Sequence, residues 1–285
     1  MENYYKMSDV LSVIRSGIED LRSSERKVAE YVLKNPETVI TLSITDLAEE
    51  AGTSEPTVIR FCRKLGLKGF MDLKLGLARD LPSSQYIHES VSEGDTLPRI
   101  FNKMLKAAKE AINDTMNGMD MELLEKASQL LASARRIEFY GVGGSGAVAR
   151  DAQHKFFRLG IPCLVYDDPH MQAMSAALLG PGDVVVAVSH TGSTKDILDS
   201  VRIAREAGAA IIGITGHGKS PLARICDVAL AVHSKEAALR LAPMTSRLAQ
   251  LAVIDVLFVS VAMRNYAETK ERLNMVKRSL VDKRP

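Results

Sequence analysis

Apolar positions along this chain follow two rhythms, and the change from one to the other divides it. From Ser8 to Asp80 they suit consecutive short helices with no convincing strand, and Asn35-Pro36 and Gly66 mark breaks between blocks. An all-α domain is predicted over residues 1–80. Leu81 to Pro98, LPSSQYIHESVSEGDTLP, has Pro at both ends and small polar residues between, which is linker composition. A helical stretch follows and is interrupted near Asn117-Gly118, so residues 81–118 are read as linker and connecting helix. From Ile137 short β-rich runs alternate with helices: IEFYGV, PCLVYD, VVVAVS, AIIGIT and VALAVH. Strands that are almost continuously apolar are buried on both faces, which predicts a parallel sheet covered by helices. The expected second domain, residues 119–265, is therefore α/β with a five-stranded parallel doubly wound sheet, followed by a helical tail over residues 266–285.

Composition narrows the setting. At 285 residues and 46% hydrophobic content the chain is long enough for two domains with their own cores. The net charge of +2 does not by itself mark a nucleic-acid binder, so any such footprint must be local. Between Pro56 and Met71 the charged residues are Arg60, Arg63, Lys64 and Lys68, with no acid among them. Cys62, Cys163 and Cys226 are isolated, without C-x-x-C or zinc-like His spacing; they read as small core residues in a reducing cytosol, with no metal. Leu248 to Met263 is the most apolar stretch, yet Gln250, Asp255 and Ser260 interrupt it and it falls short of a membrane span of about 20 apolar residues. A buried or dimer-interface helix is expected there. The amino terminus, MENYYKMSDV, lacks an apolar signal core, so a cytoplasmic protein is expected.

SITDLAEEAGTSEPTVIRFCRKLG, Ser43 to Gly66, has the pattern of a helix-turn-helix. Ser43 is placed to cap one helix with Asp46 in its first turn, Gly52 permits the turn, and Ser54 can cap the next helix with Pro56 in its first turn. At 100° per residue Val58, Phe61, Cys62 and Leu65 share one face, while Arg60, Arg63 and Lys64 with Pro56 and Thr57 take the other. Ser54, Glu55 and Thr57, near the helix start, are candidate base readers; Arg60, Arg63 and Lys64 are candidate phosphate or guanine contacts. The same pattern also fits an ordinary helical hairpin with a solvated basic face.

Two loops carry the remaining chemistry: IEFYGVGGSGAVARDAQ, Ile137 to Gln153, and VVVAVSHTGSTKDILDS, Val184 to Ser200. Each runs from a strand into a helix, presenting backbone N–H groups and hydroxyls at the positive end of that helix. Ser189, Thr191, Ser193 and Thr194 surround Gly192, which suits a terminal phosphate monoester. Ser145 could reach the same crevice, and Gly143, Gly144 and Gly146 would let backbone approach a ligand. Either loop alone also fits a tight strand-to-helix turn with a hydroxyl cap. Gly141, Gly143 and Gly146 further match G-x-G-x-x-G, with Asp167 as a ribose-binding acid, so a nicotinamide-dinucleotide sensor is an alternative. That fold leaves the hydroxyls of SHTGST without a purpose. A sugar-phosphate isomerase is a second alternative and would need an acid or base from His190, His217, His233 or Glu236. None forms a recognisable pair with a neighbour, so no catalytic residue is assigned. His154 and His170 read as contact or surface residues. Lys270, Arg272, Lys277, Arg278, Lys283 and Arg284 read as a solvated helix end.

SERKVAEYVLKNP, SITDLAEEAGTSEPTVIRFCRKLG and FMDLK resemble the N-terminal helix-turn-helix domain of the RpiR family of bacterial transcriptional regulators, while GVGGSG, DAQHKFFRLG, SHTGST and MTSRLAQLAVIDVLF resemble its sugar isomerase (SIS) domain. The resemblance covers almost the whole chain. It implies an SIS domain that binds a phosphorylated sugar or sugar acid without converting it and alters the affinity of a homodimer or homotetramer for a double-stranded DNA operator, with no cofactor and no membrane. Ser145 and Ser189 match the family serines that contact effector, and Thr191, Gly192 and Thr194 match the rest of the phosphate loop, with Thr191 where many such loops have Ser. DAQHKFF and PMTSR most resemble the family's regulators of hexose catabolism, which implies 2-keto-3-deoxy-6-phosphogluconate as effector. Arg247 could meet a ligand carboxylate or an interface acid.

Overall fold

The computed structural model describes residues 10–80, 91–92, 94–216, 218–234 and 243–279. The chain forms two compact units that divide between Ala107 and Ala108. The first contains helices α1 (Val10–Gly17), α2 (Ser23–Lys34), α3 (Pro36–Thr41), α4 (Ile44–Glu50), α5 (Glu55–Lys64) and α6 (Phe70–Asp80). Local chemistry sets their limits: Pro36 starts α3 with a preset φ, and Ser43 and Asp46 form a reciprocal capping box at α4, with N–H to oxygen distances of 3.1 Å each way. Gly52, at φ +60°, makes the turn into α5. Val28, Val32, Leu47, Val58, Phe61, Leu73 and Leu77 are fully buried and form this unit's core.

Helix α7 (Leu97–Gly118) crosses the division between units. The second unit continues with α8 (Met121–Ala132), β1 (Arg136–Tyr140), α9 (Gly144–Phe156), β2 (Cys163–Tyr166), α10 (Pro169–Ala176), β3 (Asp183–Val188), α11 (Lys195–Glu206), β4 (Ala210–Thr215), α12 (Pro221–Ile225), β5 (Val228–Ala231), α13 (Thr245–Arg264) and α14 (Tyr266–Arg278). All strand pairs are parallel, in the order β2-β1-β3-β4-β5. Alternation along β3 shows both covers: Val184, Val186 and Val188 join a core with residues of α8, α9 and α13, while Val185 and Ala187 join one with residues of α10, α11 and α12. Strand order reverses at β1, whose neighbours are β2 on one side and β3 on the other, so the crevice of this sheet opens beyond the carboxyl ends of β1 and β3.

Two carboxylates are buried in the sheet and both are paired. Glu138, on β1, accepts from the Tyr140 hydroxyl at 2.6 Å and the Ser175 hydroxyl at 2.7 Å. Asp183, the first residue of β3, accepts from Arg135 at 2.7 and 2.9 Å, from Arg136 at 3.2 Å and from the Gly180 N–H at 3.0 Å. Burial by itself would raise the Asp183 pKa; Arg135, the Gly180 N–H and Arg136 outweigh it and hold the carboxyl below its ordinary value. By length and composition α13 could cross a membrane. Here Ala249, Gln250, Val253, Ile254 and Leu257 are buried as part of the sheet's helical cover, while Leu248, Val256, Val259 and Met263 are exposed.

Candidate functional site

The first loop turns on Gly143, whose φ of +56° and ψ of −127° place it in a region that glycine alone occupies readily. The turn is closed by the Gly146 N–H, 3.1 Å from the Gly143 carbonyl. Close approach is required as well: a Cβ on Gly144 would overlap the ring of Pro243, and one on Gly141 would lie 2.6 Å from the Ser145 carbonyl oxygen. Ser145 is half-buried in the first turn of α9. Gln172, fully buried on α10, donates its amide to the Gly141 carbonyl at 3.3 Å and to that of Tyr166 at 2.6 Å. It pins the base of this loop to the end of β2. Nothing in the apolar rhythm marks Gln172, because its role depends on two carbonyls, of Gly141 just past β1 and of Tyr166 on β2, that are far apart in sequence and are brought together only by the pairing of those strands.

The second loop leaves β3 at Ser189, which is 4% exposed and bonded through its N–H to the Ile214 carbonyl at 3.0 Å. Its hydroxyl lies 3.2 Å from that of Thr194, the residue preceding α11. The Ser193 N–H donates to the Thr191 hydroxyl at 3.3 Å, and Gly192 makes the turn at φ +61°. Sequence reasoning missed the support behind it. Thr215 and Ser220, both fully buried, lie against Gly192 so closely that a Cβ there would fall 2.7 Å from the Thr215 hydroxyl and overlap Ser220. Their hydroxyls are 3.3 Å apart, and the Leu222 N–H holds the Gly192 carbonyl at 2.9 Å.

Tyr140 of β1 is in register with Ala187 of β3, so the structure brings both loops to the mouth of one crevice, at the amino ends of α9 and α11. Such a mouth offers backbone N–H groups, hydroxyls and two aligned helix dipoles to an anion. Asp167, the acid of the dinucleotide alternative, is already paired with Arg150 of α9. The histidines are dispersed: His154 contacts Arg158 at 3.2 Å, His170 is exposed on α10, the His190 ring lies against Gly216, and the His233 ring lies against Gly118. His217, Glu236, Lys283 and Arg284 lie outside the described residues. Of the tail, Arg272 bonds Glu268 and the Leu159 carbonyl, and Arg247 is exposed in the first turn of α13. No group of His, Cys, Asp and Glu suited to a metal occurs among the described residues. Burial pushes the thiols of Cys62, Cys163 and Cys226 up to about 12, so they are poor nucleophiles.

On α5 the predicted face is revised in part. Ser54, Arg60 and Arg63 are exposed. Thr57 is 3% exposed, not on the open face, and its hydroxyl accepts from Arg60 at 2.8 Å and sits 3.0 Å from that of Ser54. The Ser54 hydroxyl consequently makes no cap bond to the helix backbone. Glu55 accepts from the Thr45 hydroxyl at 2.8 Å, a brace between α4 and α5. Lys64 is exposed as well; its ammonium donates to the Asp20 carbonyl and lies 3.7 Å from Glu25, itself buried.

Two family models match. Residues 8–84 match the helix-turn-helix domain of the rpiR family, and residues 130–260 match the SIS domain. The HTH-type transcriptional regulator HexR of Escherichia coli is 40% identical over 277 residues, covering 97% of this chain and 96% of its own. HexR of Pseudomonas aeruginosa is 38% identical, covering 98% of both. The structure of Vibrio vulnificus NanR complexed with ManNAc-6P is 30% identical and superposes with a TM-score of 0.86 over 96% of this chain and 99% of that one.

Proposed function

Because this chain belongs to the RpiR family of helix-turn-helix transcriptional regulators with an SIS domain, and is by that kinship a regulator and not an enzyme, we propose that its SIS crevice binds a 6-phosphorylated sugar acid that alters operator affinity. One observation carries the reading: two glycine-turned, hydroxyl-bearing loops meet where the strand order reverses. In this reading Ser189, Thr191, Gly192, Ser193 and Thr194 hold the phosphate, and Gly143, Gly144 and Ser145 face the sugar. NanR, similar over nearly its whole length, is complexed with a phosphosugar, which supports the ligand class. The HexR relatives make 2-keto-3-deoxy-6-phosphogluconate the first effector to try. Ser54, Arg60 and Arg63 face DNA, Thr57 holds Arg60 in position, and Glu55 and Lys64 support the helix pair. The working form is a cytoplasmic homodimer or homotetramer, with residues 1–80 as the DNA head, 81–118 as linker and connecting helix, 119–265 as sensor and 266–285 as tail.

A thermal-shift panel of phosphosugars, phosphosugar acids and NADH tests this reading. At 100 times its Kd a ligand adds about 2.7 kcal/mol of stability. That is a shift of several degrees for a domain of this size, roughly 2 to 4 °C per kcal/mol. The expected result is a shift with 2-keto-3-deoxy-6-phosphogluconate that Ser145→Ala/Ser189→Ala reduces, the lost Ser189 bond to the charged phosphate alone costing about tenfold or more in affinity. A shift with NADH alone would hand the site to the dinucleotide reading.

A further inference from the structure

Hydrogen bonds and one main-chain step, Val232 to His233, join the second loop to the connecting helix. Inside SHTGST, the His190 carbonyl accepts from the Gly216 N–H at 2.8 Å and from the Thr215 hydroxyl at 3.4 Å. The Thr215 carbonyl, at the end of β4, accepts from the Val232 N–H at 2.8 Å. The next residue, His233, is held by Thr115 of α7. The Thr115 hydroxyl accepts from the His233 N–H at 2.9 Å and donates to the His233 carbonyl at 3.3 Å. One side chain thus satisfies both main-chain groups of His233, as a neighbouring strand would. Thr115 is 5% exposed, so water does not readily replace these bonds. A second contact backs them: a Cβ on Gly118 would come within 2.5 Å of His233 Nε2, and its absence lets the imidazole lie on the last turn of α7.

Helix α7 runs uninterrupted from Leu97 to Gly118 and crosses the division between the two units. At 1.5 Å per residue it is about 33 Å long, with Thr115 in its last turn. The first loop also touches a helix, through Gly144 and Pro243, but that contact leads into α13, which stays within the sensor unit.

We propose that Thr115 and His233 form the coupling clasp of this regulator, passing occupancy of the SHTGST loop to α7 through Thr215 and Val232. The proposal rests on the phosphosugar reading above. It assigns Thr115 a role in response and none in ligand binding, and it makes His233 a main-chain relay.

The test uses the full chain, 2-keto-3-deoxy-6-phosphogluconate and ManNAc-6P as probes, and a DNA fragment selected by the parent protein from a randomised pool. Hydrogen exchange of residues 108–118 is measured with and without probe, alongside probe affinity and the change in DNA affinity. In the parent, probe binding is expected to alter exchange in this segment and to change DNA affinity by about five- to 150-fold, the usual allosteric range. Thr115→Val keeps the shape and removes both bonds; it should bind probe within about threefold of the parent and lose both responses. Thr115→Ser keeps the hydroxyl and should retain them. A Thr115→Val protein that still responds overturns the clasp and leaves the phosphosugar reading standing, and one that loses probe affinity places Thr115 in the ligand site instead. If neither probe nor any phosphosugar of the panel binds the parent, the functional reading falls and the clasp with it. Should Thr115→Val not fold, Thr115→Ala is read in the same way. The parent alone also decides: probe binding with unchanged exchange over residues 108–118 refutes the proposal.

Discussion

Lys64 shows how far a side chain's role depends on what lies across from it. Its ammonium neutralises Glu25, a carboxylate 4% exposed that also accepts from the Arg22 N–H at 3.2 Å. Lys64→Ala is therefore expected to cost about 1 to 2 kcal/mol in urea unfolding, the low end for a bond to a charged group because the Lys64 side chain is 42% exposed. A parallel Glu25→Gln background should shrink that loss. Arg60→Ala and Arg63→Ala should instead leave the unfolding midpoint near the parent's and lower affinity for all DNA sequences, each reducing the salt slope by roughly one unit. Thr57→Val should weaken DNA binding by releasing Arg60, and Thr57→Ser should not. A helical wheel read the core residues of α5 correctly, since Val58, Phe61 and Cys62 are fully buried. It misplaced Thr57, which stands one turn before Phe61 and only about 40° from it around the helix, on the border between the faces. Polarity assigned it outward, whereas a hydroxyl can be buried at little cost when two neighbours satisfy it.

Among the elements, the loops after β1 and β3 are legible because each needs residues that few other structures need. Gly192→Ala is expected to cost about 1 to 2 kcal/mol for a left-handed backbone and to abolish effector binding, since the new methyl must displace Ser220 or Thr215. Circular dichroism should show the sheet intact, and isothermal titration should show no effector heat. The five apolar runs all became strands because a strand buried on both faces announces itself by continuous apolarity. Their charged starts did not: Arg136 and Asp183 pair in register at the amino ends of β1 and β3, outside any apolar run. Asp183 is charged and bonded in the fold, with its pKa lowered. Its contribution is thus fully present above the unfolded value of about 3.9 and is lost as pH falls through the lower folded value. Asp183→Asn should destabilise the protein at pH 7 and flatten the acid side of its stability profile, measured as urea midpoint against pH.

On the scale of the whole molecule, three thiols, those of Cys62 and Cys163 buried and that of Cys226 half-buried, report on two units. Cys62 lies in the first unit, Cys163 and Cys226 in the second, each with its pKa pushed up to about 12 against an ordinary value near 8.5. Iodoacetamide at pH 8 should leave all three unmodified in the native protein. In rising urea, labelling of Cys62 at a different midpoint from Cys163 and Cys226 would show the units unfolding separately, while one shared midpoint would show them unfolding together. The succession of an all-helical part and a parallel-sheet part was legible from the change of apolar rhythm. The clasp on α7 was not, because it joins residues 115 and 233 through main-chain groups that every sequence possesses.

The pairing of β1 with β3 bears on the order of events at the ribosome. Arg136 meets Asp183 only after β2 and its flanking helices have been made, whereas the helices from Val10 to Asp80 close on one another over short stretches of chain. Local contacts form early and long-range parallel pairing forms late. A growing chain is therefore expected to own a DNA-reading head before it owns an SIS domain. Synthesis arrested ahead of Asp183 would release a DNA-reading head without the completed sheet of its SIS domain.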